Sequence, residues 1–117
     1  MTTTPPANPK QAFGDLKDQL ALNPHSAAIE QSKAHRLGHN KYGFMNWREN
    51  PVEAMTYAHA MIRHIYEWIE GRDTDAESGA HPFGHVMSSA AIVIDAAEQG
   101  TLIDNRPRNR KNEFIDE

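Results

Sequence analysis

Between Lys41 and His85 the chain gathers Lys41, Tyr42, Asn46, Trp47, Arg48, Arg63, His64, Trp68, Asp73, Asp75, Glu77, Ser78, Gly79, His81 and His85. Guanidiniums, ammoniums and imidazoles meet anions through charge-assisted hydrogen bonds, and planar rings stack on an aromatic base. The mixture suits a heterocycle that carries phosphates. Lys41, Arg48 and Arg63 are the phosphate candidates, and Tyr42, Trp47 and Trp68 are the stacking surfaces. Asn46 and Ser78 add neutral hydrogen-bonding contacts. His64 and His85 are the candidates for handling protons, and so the candidate catalytic residues. Asp73, Asp75 and Glu77 are oxygen donors for Mg²⁺ or Mn²⁺, provided they converge with phosphate oxygens.

Each candidate has a blander alternative. The acidic turn could cap a helix and pair with Arg63 or Arg48, and Trp68 could be core while Arg63 pairs with Glu67 one turn on. His81 and His85 stand at metal-ligand spacing, which His64, Asp73, Asp75 or Glu77 could complete. The zinc-protease signature is nevertheless absent, because Pro82-Phe83 lies where its catalytic Glu would be. His35 and His39 repeat that spacing at the end of a weak helix. Glu67 and Glu70 could face Asp95 and Glu98 across two helices, a loose approximation of helical nucleotide pyrophosphohydrolases, but ordinary solvated helix faces explain them better. No phosphate loop, dinucleotide fingerprint or His-Asp dipeptide is present.

The elements that must position these groups read as all-α: a small three-helix domain with long loops, an extended N-terminal arm and a polar C-terminal tail. Pro5, Pro6, Pro9 and Pro24 keep residues 1–24 extended, with room for one helical turn around Gly14 to Leu20. The helical, nucleotide-binding part spans 25–104. Its first helix runs from Ser26 to about Gly38, and Gly38 to Asn50 is a loop. The second helix runs from Pro51 to Glu70, with Met55, Ala58, Ile62, Ile65 and Ile69 on one apolar stripe. The third spans Pro82 to Gln99, where Ser88, Ser89, Ala90 and Ala91 permit close helix–helix approach. A brief Leu102–Ile103 segment follows, and 105–117 is a charged tail with one anchoring turn at Phe114–Ile115.

The 117 residues suffice for one domain. They are 38% hydrophobic with a mean hydropathy of −0.72, so a single small core leaves the chain marginal and a homo-oligomer is expected. The net charge of −4 argues against bulk nucleic-acid binding. The absence of cysteine excludes thiolate catalysis and disulfides. No apolar run approaches the roughly 18 residues of a membrane span, and the N-terminus lacks the apolar core of a signal peptide.

The order Asn8-Pro9-Lys10, Lys41-Tyr42-Gly43, Asn46-Trp47-Arg48, Arg63-His64, Trp68, Gly71, Asp75, Ser78-Gly79, His85 and Leu102-Ile103-Asp104-Asn105-Arg106-Pro107 resembles a bacteriophage family, the dATP/dGTP diphosphohydrolase N-terminal domain proteins. The resemblance covers about residues 8 to 107. It implies a phage protein in the host cytoplasm that acts on purine nucleotides, releasing pyrophosphate from a deoxynucleoside triphosphate in support of modified-base genome synthesis. Two departures are visible: His81-Pro82 stands where the family often has Pro-His, and Arg72 stands where an acidic residue is common. The leading expectation is thus a divalent-metal-dependent diphosphohydrolase acting on dATP/dGTP-type nucleotides. The alternatives are a non-catalytic sponge that sequesters a host immune signalling nucleotide, and an oligomeric structural or interaction protein.

Overall fold

The computed structural model describes residues 8–108. These residues are mostly helical. In chain order they form α1 (Pro9–Gly14), a 3₁₀ turn at Leu20–Leu22, α2 (His25–Tyr42), α3 (Asn46–Glu49), β1 (Val52–Glu53), α4 (Ala54–Ile69), α5 (Pro82–Gln99) and β2 (Leu102–Ile103). None of the described helices is long and apolar enough to cross a membrane. The Phe114–Ile115 turn expected from sequence lies outside the described residues.

Three boundaries differ from the sequence pattern, each for a local reason. The arm's helical turn forms at Pro9–Gly14, where Asn8 caps it by accepting the Lys10 N–H at 2.9 Å. Proline at a first helical position needs no N–H partner, so the turn begins there and not near Gly14. α2 runs through Gly38 to Tyr42 and stops at Gly43, whose φ of +98° suits glycine and whose N–H bonds the His39 carbonyl. Lys41 and Tyr42 are therefore helical, not in a loop. Pro51 does not open the next helix. Asn50-Pro51 keeps the chain extended, Val52 donates its N–H to the Thr101 carbonyl, and Val52–Glu53 pairs in parallel with Leu102–Ile103. This two-residue ladder ties the start of α4 to the end of α5.

α5 is the central helix and packs against both α2 and α4. The apolar residues it helps bury are small: Ala34, Ala54, Ala80 and Ala96, with Pro82 the largest side chain fully enclosed. Gly84 makes the tightest approach, because a Cβ built there would lie 2.5 Å from the backbone oxygen of Glu30 on α2. Ser88, buried between the same helices, meets His35 Nδ1 at 2.9 Å.

The apolar stripe of α4 does not face this core. Met55 and Ala58 are half-buried, but Ile62, Ile65 and Ile69 are exposed, at 49%, 37% and 60%. α4 instead turns Ala54, Tyr57, His64 and Glu67 inward. Phe13, Leu16, Leu20 and Leu22 are exposed too. A chain whose enclosed apolar residues are alanines leaves much of its hydrophobic driving force outside.

Candidate functional site

Two cavities divide the candidate residues. A polar cleft of about 390 Å³ opens between α2, α4, α5 and the loop that joins the last two. Its walls carry Lys41 and Tyr42 from α2, Arg63 and His64 from α4, Asp75 and Glu77 from the loop, and His85, Ser88 and Ser89 from α5. A larger groove of about 490 Å³ is lined by His35, Arg36, His39, Phe44, Met45, Trp47, Arg48 and Asp95. Three of its polar groups, Trp47, Arg48 and Asp95, satisfy one another. Asp95 accepts the Trp47 Nε1–H at 2.6 Å and both Arg48 Nε and Nη2 at 2.8 Å. The Arg48 guanidinium, then the Trp47 indole, pull its carboxyl down to about 2.

In the cleft, Asp75 orders the loop. Its Oδ2 accepts the backbone N–H groups of Glu77 and Ser78 and the Ser78 hydroxyl, at 3.1, 2.8 and 3.0 Å. Such a local turn is what a short carboxylate side chain provides. The Ser78 hydroxyl has one proton, given to Asp75, so the 2.6 Å contact with His85 Nε2 must be a donation from the ring. Neutral His85 then carries its proton on Nε2 and leaves Nδ1 unprotonated. Burial, followed by the neighbouring His64, lowers the His85 pKa. For Asp75, burial alone would raise the pKa, but the Ser78 bonds and nearby His85 together hold it below the ordinary value.

His64 and His85 lie nearly parallel, 4.4 Å between ring centroids and 13° between planes. One turn along α4 from His64, Glu67 brings Oε2 to 3.6 Å from His64 Nδ1. Both atoms are out of solvent, and neither has a hydrogen-bond partner. One donor atom each from His64, Glu67 and Asp75 falls within 4.8 Å of the others. Arg72 approaches Glu67 Oε2 at 3.7 Å from an exposed position, too far for a hydrogen bond.

The sequence-selected residues are thus distributed. Lys41, Tyr42, Arg63, His64, Asp75, Glu77 and His85 share the cleft, while Ser78 stands behind it with its hydroxyl engaged. Glu77 pairs with the Lys41 ammonium, which raises the Lys41 pKa. Asp73 is exposed and lines neither cavity. Trp47 and Arg48 surround Asp95, next to Asn46 on the same short helix. Trp68 packs on Phe83, 4.8 Å between centroids. His81 caps α5, its Nδ1 accepting the Phe83 N–H, and its own N–H goes to Glu30 Oε1 at 2.8 Å. Sequence reasoning did not group Glu67 with His64, although their i, i+3 spacing on one helix was the available signal. Nor did it connect Asp95 with Trp47 and Arg48, which no local spacing reveals.

The family described as "dATP/dGTP diphosphohydrolase, N-terminal" matches residues 7–106. The chain belongs to that family. A relative from Salmonella phage PMBT28, named "dATP/dGTP diphosphohydrolase", is 28% identical over 95 residues, which cover 81% of this chain. The chain spans only 30% of that relative's length. No solved structure matches it. The names of both the family and the relative point to nucleotides.

Proposed function

We propose that this chain is a phage protein of the host cytoplasm that binds a purine deoxynucleoside triphosphate by its phosphates in the Lys41–Arg63–His85 cleft. With a divalent cation, Mg²⁺ or Mn²⁺, it releases pyrophosphate. The observation that carries this is the cleft itself, in which a lysine and an arginine from facing helices flank two stacked imidazoles. Lys41 and Arg63 neutralise phosphate charge, as phosphoryl chemistry requires. Tyr42, exposed at the rim, supplies a ring for the base.

A second reading, nucleotide binding without turnover, is favoured by one specific observation. Glu77 is paired with Lys41, so among the described residues Asp75 is the one carboxylate lining the cleft that faces no lysine or arginine at ion-pair distance. Binding an anion needs fewer groups than activating water against it. The activity in the relative's name also belongs to a longer protein, so binding and turnover must be measured apart.

The chain is incubated with dGTP, dATP or a cyclic dinucleotide plus Mg²⁺ or Mn²⁺, and chromatographed before and after denaturation. Pyrophosphate and monophosphate support the enzyme. Intact ligand recovered only on denaturation supports the sponge. Neither product nor retained ligand overturns both. Lys41→Ala and Arg63→Ala should each weaken binding on the order of tenfold, the loss expected for a charged hydrogen bond.

The same proposal includes a homo-oligomer. Ile62, Ile65 and Ile69 form an exposed apolar row on a chain that encloses mainly alanines. A second copy is the one partner always present when this protein folds.

A further inference from the structure

His64 Nδ1 and Glu67 Oε2 are enclosed, 3.6 Å apart, and without a hydrogen-bond partner among the described residues. Buried polar atoms are rarely left so, and each such case calls for a cause. Two donors about 2.1 Å from one ion stand 3.6 Å apart when the angle at the ion is about 118°, close to tetrahedral. Asp75 supplies the third donor atom, all three within 4.8 Å of one another. Two donors on one ion at these bond lengths are at most about 4.2 Å apart, so closure requires shifts of no more than roughly half an ångström.

The surroundings are those of a supported ligand set. The Ser78 N–H and hydroxyl hold the Asp75 carboxylate in place, and His85 braces that hydroxyl while its ring lies flat on His64. Partners of this kind orient metal ligands. Two carboxylates match the charge of a divalent ion, and Arg72, the nearby cation, is 63% exposed and free to withdraw. His64 and Asp75 line the cleft, so coordination positions beyond the three protein donors would face it.

We propose that His64, Glu67 and Asp75 bind one divalent transition-metal ion. The mixed nitrogen and oxygen donor set selects Mn²⁺, Co²⁺ or Zn²⁺ over Mg²⁺ and Ca²⁺, which take oxygen ligands. The site differs from an all-oxygen site on Asp73, Asp75 and Glu77, because those carboxylates do not converge: Glu77 holds Lys41 and Asp73 stands apart. The proposal deepens the nucleotide reading by naming the cation that would meet the phosphates, yet its test needs no nucleotide.

The full chain, stripped with EDTA, is titrated with MnCl₂ by electron paramagnetic resonance of free Mn²⁺ and with CoCl₂ by visible absorption. Saturation at one ion per chain is expected, tighter than for MgCl₂ by on the order of tenfold. Glu67→Gln, nearly isosteric, should weaken Mn²⁺ on the order of 100-fold with an unchanged circular dichroism spectrum, whereas Glu70→Gln should bind as wild type. If wild type shows no saturable uptake of Mn²⁺, Co²⁺ or Zn²⁺, or if Glu67→Gln binds Mn²⁺ normally, the site is overturned. Stoichiometric Mn²⁺ binding without any nucleotide binding would uphold the site and remove the nucleotide reading. Mn²⁺-supported dGTP turnover in wild type, with Mn²⁺ bound equally well by Glu67→Gln, would do the reverse.

Discussion

His64 on α4 and His85 on α5 stack face to face, 4.4 Å between centroids. They join two helices through a polar contact where an apolar one is usual. His85 also donates to Ser78, which holds Asp75, so one ring fastens both the helix pair and the loop. His85→Ala should destabilise the protein by about 1–3 kcal/mol in urea denaturation, since it removes a largely enclosed ring together with its stacking on His64 and its hydrogen bond to Ser78. Hydrogen exchange at the Ser78 and Gly79 amides should accelerate more than at α2. Unchanged exchange there would mean that the loop holds itself.

Gly84 sets how closely α5 approaches α2. A methyl group at this position would meet the Glu30 carbonyl oxygen at 2.5 Å and its carbon at 2.7 Å. Backbone cannot rotate out of the way as a side chain can. Gly84→Ala should therefore lower stability by about 1–3 kcal/mol, although alanine is the better helix former. A thermal melt comparing Gly84→Ala with Gly38→Ala separates the two effects, because Gly38 has open space around its Cβ position and its substitution should be neutral or stabilising.

The helices were legible because caps and periodicity are local signals. α5 spans Pro82 to Gln99 as the pattern predicted, and the 3.6-residue repeat of α4 located that helix to within a turn. The direction in which α4 turns its apolar side was not legible. Periodicity identifies a face but not its neighbour, and here α5 meets α4 through His64 and Trp68 as well as small residues. The site divided along the same line. Asp75, Glu77 and Ser78 lie within one short loop and were visible together, whereas His64 and Glu67 were not grouped although they share one helix face. Trp47 and Asp95 are 48 positions apart and meet only because α3 folds onto α5. Lys41 reached the cleft because α2 continued past Gly38, a step that tertiary packing decides over helix propensity.

Asp95 should make the protein's stability pH-dependent in acid. Its folded pKa, lowered to about 2 by Arg48 and then Trp47, lies below the unfolded value of about 3.9. A group lowered on folding stabilises fully above its unfolded pKa, and that contribution is lost as pH falls through the folded one. The relevant window thus runs from about pH 4 down to about pH 2. Wild type should lose stability across it by circular dichroism, and Asp95→Asn should lack that component while being less stable at neutral pH. Parallel profiles for the two would show that Asp95 is not coupled to folding.

The exposed row on α4 bears on assembly. Ile62 and Ile69 are 49% and 60% exposed, on a helix whose inward face is partly polar. Ile62→Glu with Ile69→Glu should reduce the mass measured by light scattering from that of an oligomer to that of one chain. Helix content should be kept if α4 folds against α5 alone, and should fall if the second copy is needed for folding. A wild type of single-chain mass would end the oligomer proposal at once.

Glu77 offers the sharpest test of how the cleft meets an anion. It is paired with Lys41, so a phosphate group approaching Lys41 must first displace a carboxylate. Both side chains are about half exposed, and a surface pair of this kind is worth about 0–1 kcal/mol. Glu77→Gln should therefore tighten dGTP binding by up to about fivefold, the same energy expressed as affinity. If Glu77 instead coordinated the nucleotide's metal ion, the substitution would weaken Mn²⁺-dependent binding and leave metal-free binding unaltered. Isothermal titration of Glu77→Gln with dGTP, once with Mn²⁺ and once with EDTA, distinguishes the two roles by the sign of the change.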